Sequence, residues 1–201
     1  MLKGKVLRAV KSVHWISSAL ALACLLLFSI TGVTLNHPDW FDADPTQAEQ
    51  RLQLPEGLQQ QLVTAVAAGQ WISVQPVLLQ WLSGQGLAGT PQRLEAVDSE
   101  LHLDYQRPGG YRQISIYLDE GVVEAEEESR GLVAILNDLH KGRHAGAWWS
   151  ALIDLTAVII LVFSVSGLVL LYHFASQRGS TWPLVAVGCA IPLLIYLVAV
   201  P

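Results

Sequence analysis

The chain has 201 residues, 52% of them hydrophobic and only 14% charged, and its mean hydropathy is +0.39. These values exclude an ordinary soluble domain and place the chain with membrane proteins. The net charge of -5 is an average over segregated charges: Lys3, Lys5, Arg8 and Lys11 crowd the N-terminus, and every acidic residue except Asp154 lies between Asp39 and Asp138. No basic patch of the kind nucleic-acid binding needs is present. The two cysteines, Cys24 and Cys189, read as small buried hydrophobes. They supply no disulfide framework, no CxxCH haem attachment and no four-cysteine iron–sulfur site.

Residues 1–12 form a basic leader to an apolar run over 13–37, long enough to cross a hydrocarbon core of roughly 30 Å. The run is too long for a signal peptide, and its exit, Thr34-Leu-Asn-His37-Pro38, is not a small-residue cleavage site. The four cations before it predict a cytoplasmic N-terminus. Residues 38–146 then lie on the far side and are expected to fold as one α+β domain. Within it, Pro45 to Gly69 and Trp71 to Leu82 read as two helices. The period then changes to two. Leu94–Val97, Leu101–Tyr105, Tyr111–Leu118 and Val122–Glu128 read as an antiparallel meander, with turns at Arg107-Pro-Gly-Gly110 and Asp119-Glu-Gly121. Ser129 is expected to cap a helix that runs to His140, and His102 to be a solvated strand residue. A second span follows at 147–173, a cytoplasmic loop with Arg178 at 174–181, and a third span at 182–201 kinked by Pro192. Trp40, Trp148, Trp149 and Trp182 fall at expected membrane interfaces. Asp154, inside span two, is read as a structural hydrogen-bonding residue, with proton or cofactor linkage as the alternative. The glutamates 124 and 126–128 read as a solvated strand edge, with attraction of a cation such as iron as the alternative.

Five of the six histidines sit at the ends of the first two spans. His14 and His37 bracket span one; His140 and His144 precede span two and His173 follows it. Histidine is costly in a bilayer and marks a pathway or ligand site there, and imidazole is an axial ligand of haem iron. His14 and His37 are about 35 Å apart along a helix, at roughly 1.5 Å per residue, so they serve two sites. Because spans one and two run antiparallel, His14 is expected to meet His173 at the cytoplasmic face, and His37 to meet His140 or His144 at the other. That makes two bis-histidine sites for b-type haem. His140 and His144, four residues apart, are expected to share a helix face. The one that is not an axial ligand would contact a propionate or hold ferric iron, and such a pair also suits zinc. Lys141 and Arg143 are expected to contact propionates or an anionic ferric chelate. The spans also repeat a motif: Phe28-Ser-Ile-Thr-Gly32 ending at His37, and Phe163-Ser-Val-Ser-Gly167 ending at His173. Gly32 and Gly167 give clearance for another helix or for a flat porphyrin.

Val13-His-Trp15, Gly32-x-x-Leu-Asn-His37, Leu139-His-Lys-Gly-Arg-His144 and the Ser-x-Ser-Gly ending before His173 resemble the PepSY-associated transmembrane helix family over nearly the whole chain. The resemblance implies a PepSY-like domain in the periplasm of a bacterial inner-membrane protein. It also implies b haems on paired membrane histidines, and electrons passing from a quinol or a cytoplasmic reductase to periplasmic ferric iron or ferrisiderophore. It favours His140 over His144 as partner of His37. The chain thus reads as a haem-dependent ferric reductase supporting iron uptake, with two haems and with iron as substrate. The larger reductases of this type have four or more spans; here span three completes the haem cage or the protein dimerises. Two other readings are a non-redox PepSY module that regulates a partner enzyme, and a metal-binding accessory subunit using His37, His140 and His144.

Overall fold

In the computed structural model, residues 4–41 and 44–200 are described; Lys3 of the basic leader lies outside them. The elements run α1 (Gly4–Asn36), β1 (Thr46–Gln53), α2 (Glu56–Ala67), α3 (Gln75–Gly84), β2 (Arg93–Val97), β3 (Glu100–Arg107), β4 (Gly110–Tyr117), β5 (Val122–Ser129), α4 (Gly131–Lys141), α5 (Gly146–Phe174) and α6 (Thr181–Ala199). Helices α1, α5 and α6 are long and apolar enough to cross a membrane. The chain therefore combines three membrane-type helices with an α+β domain. Contacts divide it into two compact units, Met1–Leu27 with Ala151–Pro201, and Phe28–Ser150.

In the first unit the usual burial pattern is inverted. The side chains that α1 and α5 bury here are Ser17, Ala21, Thr156 and Ser166, whereas Leu20, Leu22, Leu155, Val158 and Leu161 face outward. Lipid solvates leucine as well as protein does, so small and hydroxylated residues form the seam where backbones approach. Thr156 closes it by donating to Cys24 Sγ at 3.6 Å. Helix α6 has no buried residue, and its Trp182 meets Tyr172 edge-on with centroids 6.0 Å apart.

The second unit is built on a five-stranded antiparallel sheet in the order β1-β5-β4-β3-β2. Alternate residues Leu101, Leu103 and Tyr105 of β3, Ile114 and Ile116 of β4, and Val123 and Ala125 of β5 form one face of the core, and Leu58, Leu62, Leu78 and Leu82 of α2 and α3 fill it from the other side. The meander stands where the alternation puts it, with Leu103 opposite Ile114 and Ile114 opposite Ala125. The segment from Pro45 differs from expectation: its first part is strand β1, and the helix begins only at Glu56. Composition favours a helix over Thr46–Gln53, but pairing with β5 in continuous register from Thr46↔Ser129 to Gln53↔Val122 satisfies both backbones. The cap of α4 is also shifted. Ser129 ends β5, and Arg130 holds the N-cap position.

The β3–β4 turn locks α4 onto the sheet. Gly109 has φ +73°, and a Cβ there would collide with Ile135 Cγ1 and come within 2.8 Å of the Ile135 backbone nitrogen. Gly109 N–H donates to Asp138 Oδ2 at 2.8 Å, and Arg130 N–H donates to Gly109 O at 2.8 Å. Only glycine permits both the left-handed backbone and the close approach.

Candidate functional site

Each copy of the Phe-Ser-x-[Ser/Thr]-Gly motif receives a histidine ring. In the first unit, His14 of α1 lies on the α5 copy. Its ring stacks on Phe163 at a centroid distance of 4.8 Å and an interplanar angle of 15°. Its Nδ1 is 3.1 Å from Ser166 Oγ and 3.2 Å from Phe163 O. A Cβ on Gly167 would stand 3.1 Å from His14 Cε1. The clearance at Gly167 is thus filled by imidazole.

In the second unit, His140 of α4 lies on the α1 copy. Its ring meets Phe28 edge-on with centroids 5.0 Å apart, its Nδ1 hydrogen bonds Thr31 Oγ1, and its Cε1 is 3.9 Å from where a Gly32 Cβ would be. One turn earlier on α4, Asn137 Oδ1 accepts from Thr34 Oγ1 at 2.6 Å. Thr31 and Thr34 are both buried, so α4 grips two turns of α1 through a pair of polar contacts. Trp149 Nε1 donates to Leu139 O at 2.8 Å and satisfies a terminal carbonyl of α4.

The ring hydrogen of His14 can be assigned. A carbonyl only accepts, so the Phe163 O contact makes His14 Nδ1 the protonated nitrogen. Ser166 donates its hydroxyl hydrogen to Phe163 O at 3.0 Å and so presents lone pairs to the same Nδ1–H. The Thr31 hydroxyl lies 3.3 Å from Phe28 O and also hydrogen bonds His140 Nδ1, with the donor set by the His140 tautomer. Among the described residues, Nε2 of His14 and of His140 has no hydrogen-bond partner. A hydrogen bond on one ring nitrogen orients the other toward a metal.

The remaining histidines stand apart from these seats. His173 meets its neighbour Phe174 edge-on at 4.8 Å, and His37 stacks on Trp40 at 3.9 Å and contacts Asn36 Nδ2 at 3.2 Å. Counted along their own helices, His173 is roughly 9 Å beyond Gly167, and His37 roughly 7 Å beyond Gly32, at about 1.5 Å per residue. No hydrogen bond or ring contact among the described residues joins His14 to His173, or His37 to His140 or His144. His144 is exposed with φ +54°. Helix α4 stops at Lys141 with Gly142 left-handed at φ +67°, so His144 does not share the helix face of His140. No group of three or more His, Cys, Asp or Glu side chains suited to a metal ion occurs among the described residues. Lys141 and Arg143 line a cavity of about 330 Å³ beside α4. Asp154 is exposed on the outer surface of α5, and His102 bridges Ser115 Oγ at 3.2 Å and Glu100 Oε2 at 3.1 Å on the sheet.

A family model described as PepSY_TM-like matches residues 5–201. The chain belongs to the PepSY_TM-like family. No curated protein and no solved structure matches it at a significant level. Membership of the family accounts for the union of membrane helices with an α+β domain.

Proposed function

We propose that this PepSY_TM-like protein is a membrane-spanning b-type cytochrome with two haem sites, which passes electrons across the bacterial inner membrane to ferric iron or a ferric chelate in the periplasm. The observation that carries the reading is the repetition of one ligand-like arrangement. His14 and His140 each sit on a glycine, against a phenylalanine, with Nδ1 held by a hydroxyl and Nε2 unpartnered among the described residues. That donor set fits haem: an axial imidazole coordinates through one nitrogen while the other donates to the protein. His14 with His173 would hold one haem, and His140 with His37 the other. When bound, haem supplies reversible one-electron chemistry.

The chain's own residues do the rest. Ser166 and Thr31 orient the imidazoles, and Gly167 and Gly32 let them lie flush against the spans. The seats are separated along α1 by roughly 27 Å at about 1.5 Å per residue, which suits one site toward each face of a bilayer. The basic segment before α1 supports a reading with the N-terminus in the cytoplasm and the α+β domain in the periplasm, with a quinol or a cytoplasmic reductase as donor. A second copy of the chain or helix α6 would wall each haem from lipid.

Alanine substitution of His173 should remove one haem, substitution of His37 the other, and either should stop ferric reductase activity of the purified protein. Unchanged haem content and activity in both variants would sink the assignment.

A further inference from the structure

Strand β1 (Thr46–Gln53) is an outer strand of the sheet, paired with β5 on one side only. A free edge presents a row of unpaired N–H and C=O groups and is a template for another strand. Which residues present them follows from the hydrogen bonding at the end of the pair. Leu54 N–H donates to Gly121 O at 2.8 Å, one step beyond Gln53↔Val122 in the same register. Bonded and non-bonded positions alternate along an antiparallel pair. The even-numbered residues of β1 therefore bond β5, and Gln47, Glu49, Arg51 and Gln53 turn their backbone groups to the free edge. The strand has no proline and no bulge in its register, and all of it except Leu52 is exposed. The opposite edge differs. Strand β2 is five residues long, and its two charges are paired with each other, Arg93 with Glu95 at 2.8 Å.

We infer that β1 is a self-association surface, which pairs antiparallel with β1 of a second copy of this chain about a two-fold axis at Gln50. The segment Gln47-Ala-Glu-Gln-Arg-Leu-Gln53 is complementary to its own reverse. With Gln50 opposite the partner's Gln50, Glu49 faces the partner's Arg51, Ala48 faces the partner's Leu52, and Gln47 faces the partner's Gln53. All the edge residues then meet edge residues, which makes about eight main-chain hydrogen bonds. Moving the axis by one residue sets Glu49 against Glu49 or Arg51 against Arg51, and like charges directly opposite are unfavourable. Moving it by two leaves neither charge opposite the other. The charges within one chain support the same register. Glu49 has no ion pair among the described residues and stands opposite Glu126 of β5, a like-charge pair that an added cation offsets. Arg51 Nη1 lies 3.6 Å from Glu124, and the remaining guanidinium donors are available to a second carboxylate. The interface is isologous, so it closes at two copies and covers both β1 edges. It does not depend on haem or on either histidine seat.

The test is the mass of the full-length protein in detergent, by sedimentation at matched solvent density, together with disulfide trapping in native membranes. The parent should be a dimer. Gln50→Cys should give a covalent dimer on mild oxidation, because two copies of a non-bonded residue on the axis stand about 4.5 Å apart, within disulfide reach. Gln47→Cys should not, because its two copies are roughly 20 Å apart at about 3.4 Å per residue. The parent, with Cys24 and Cys189, is the background control for both. Glu49→Arg should weaken dimerisation at least fivefold, and the exchange Glu49→Arg/Arg51→Glu should restore it. Glu49→Pro removes an N–H that faces the free edge, where proline is tolerated within one chain, and should yield folded monomer with unchanged haem content. Should that variant unfold, the charge exchange alone carries the test. A monomeric parent without Gln50→Cys trapping would overturn the inference. So would a dimer that Glu49→Arg and Glu49→Pro leave intact, equal trapping at Gln47→Cys, or trapping of Gln50→Cys only to a different polypeptide.

Discussion

Adding one methyl group at each motif glycine should affect the two seats unequally. At Gly167 the new Cβ would lie 3.1 Å from His14 Cε1 and 3.5 Å from His14 Nδ1, inside the usual carbon–carbon separation of about 3.5–4.0 Å. The ring would have to retreat by several tenths of an ångström. It is stacked on Phe163 and bonded to Ser166 at 3.1 Å, and a retreat of that size takes the bond to the edge of hydrogen-bonding distance. Losing such a bond costs about 0.5–1.5 kcal/mol, while Gly→Ala in a helix returns up to about 1 kcal/mol. The net change in stability should therefore be within about 1 kcal/mol, and the main effect should fall on the orientation of His14. At Gly32 the corresponding contact is 3.9 Å from His140 Cε1, and nothing need move. Haem quantified per purified chain, with thermal unfolding as control, should show Gly167→Ala depleted at one site and Gly32→Ala retaining both. Equal loss in the two variants, or greater loss in Gly32→Ala, would refute the claim that the glycine clearance is filled by imidazole.

Removing the orienting hydroxyls by Ser166→Ala or Thr31→Val should cost about 0.5–1.5 kcal/mol each and move the midpoint potential of the haem proposed for that seat, measured by redox titration; the swaps Ser166→Thr and Thr31→Ser should restore it. Gly109→Ala, at a left-handed position packed on Ile135, should destabilise the α+β domain by about 1–3 kcal/mol, and an unchanged melting temperature would contradict the packing. Leu103→Ala, in a fully buried site, should cost about 2–5 kcal/mol by denaturant unfolding. The Glu127 carboxyl is held below the usual carboxylate range, chiefly by its hydrogen bonds from Arg112 and also by those from Arg107. Its contribution to stability is therefore present above the ordinary glutamate pKa and is lost as pH falls through the lowered value. Glu127→Gln should flatten that acid-side loss, and identical pH profiles for variant and parent would count against it.

The sequence carried the repeated motif, the histidines at the span ends and the strand alternation of the meander, because each is a local pattern. What lay beyond it was partnership. Counting residues along the spans sets histidine against histidine, but each seat matches a histidine to the Phe-Ser-x-[Ser/Thr]-Gly copy of another segment. Phe163 and Phe28 were visible as repeated letters, and nothing local said that their rings would face imidazole. Ser166 and Thr31 were the available signal, since a hydroxyl in an apolar helix seeks a partner. Strand β1 was illegible for a related reason. Thr46–Gln53 is exposed on both faces except at Leu52, so it shows no alternation, and its structure comes from the unpaired edge of β5. His144 left the helix face because Gly142 ends α4 one residue after Lys141, a cap whose meaning depends on where the helix stops.

The most direct test of the central claim is a reduced-minus-oxidised visible spectrum of the intact protein, purified in detergent from cells well supplied with haem, with haem counted per chain. The account predicts a b-type spectrum and two haems per chain. A protein that is folded and free of haem would contradict it.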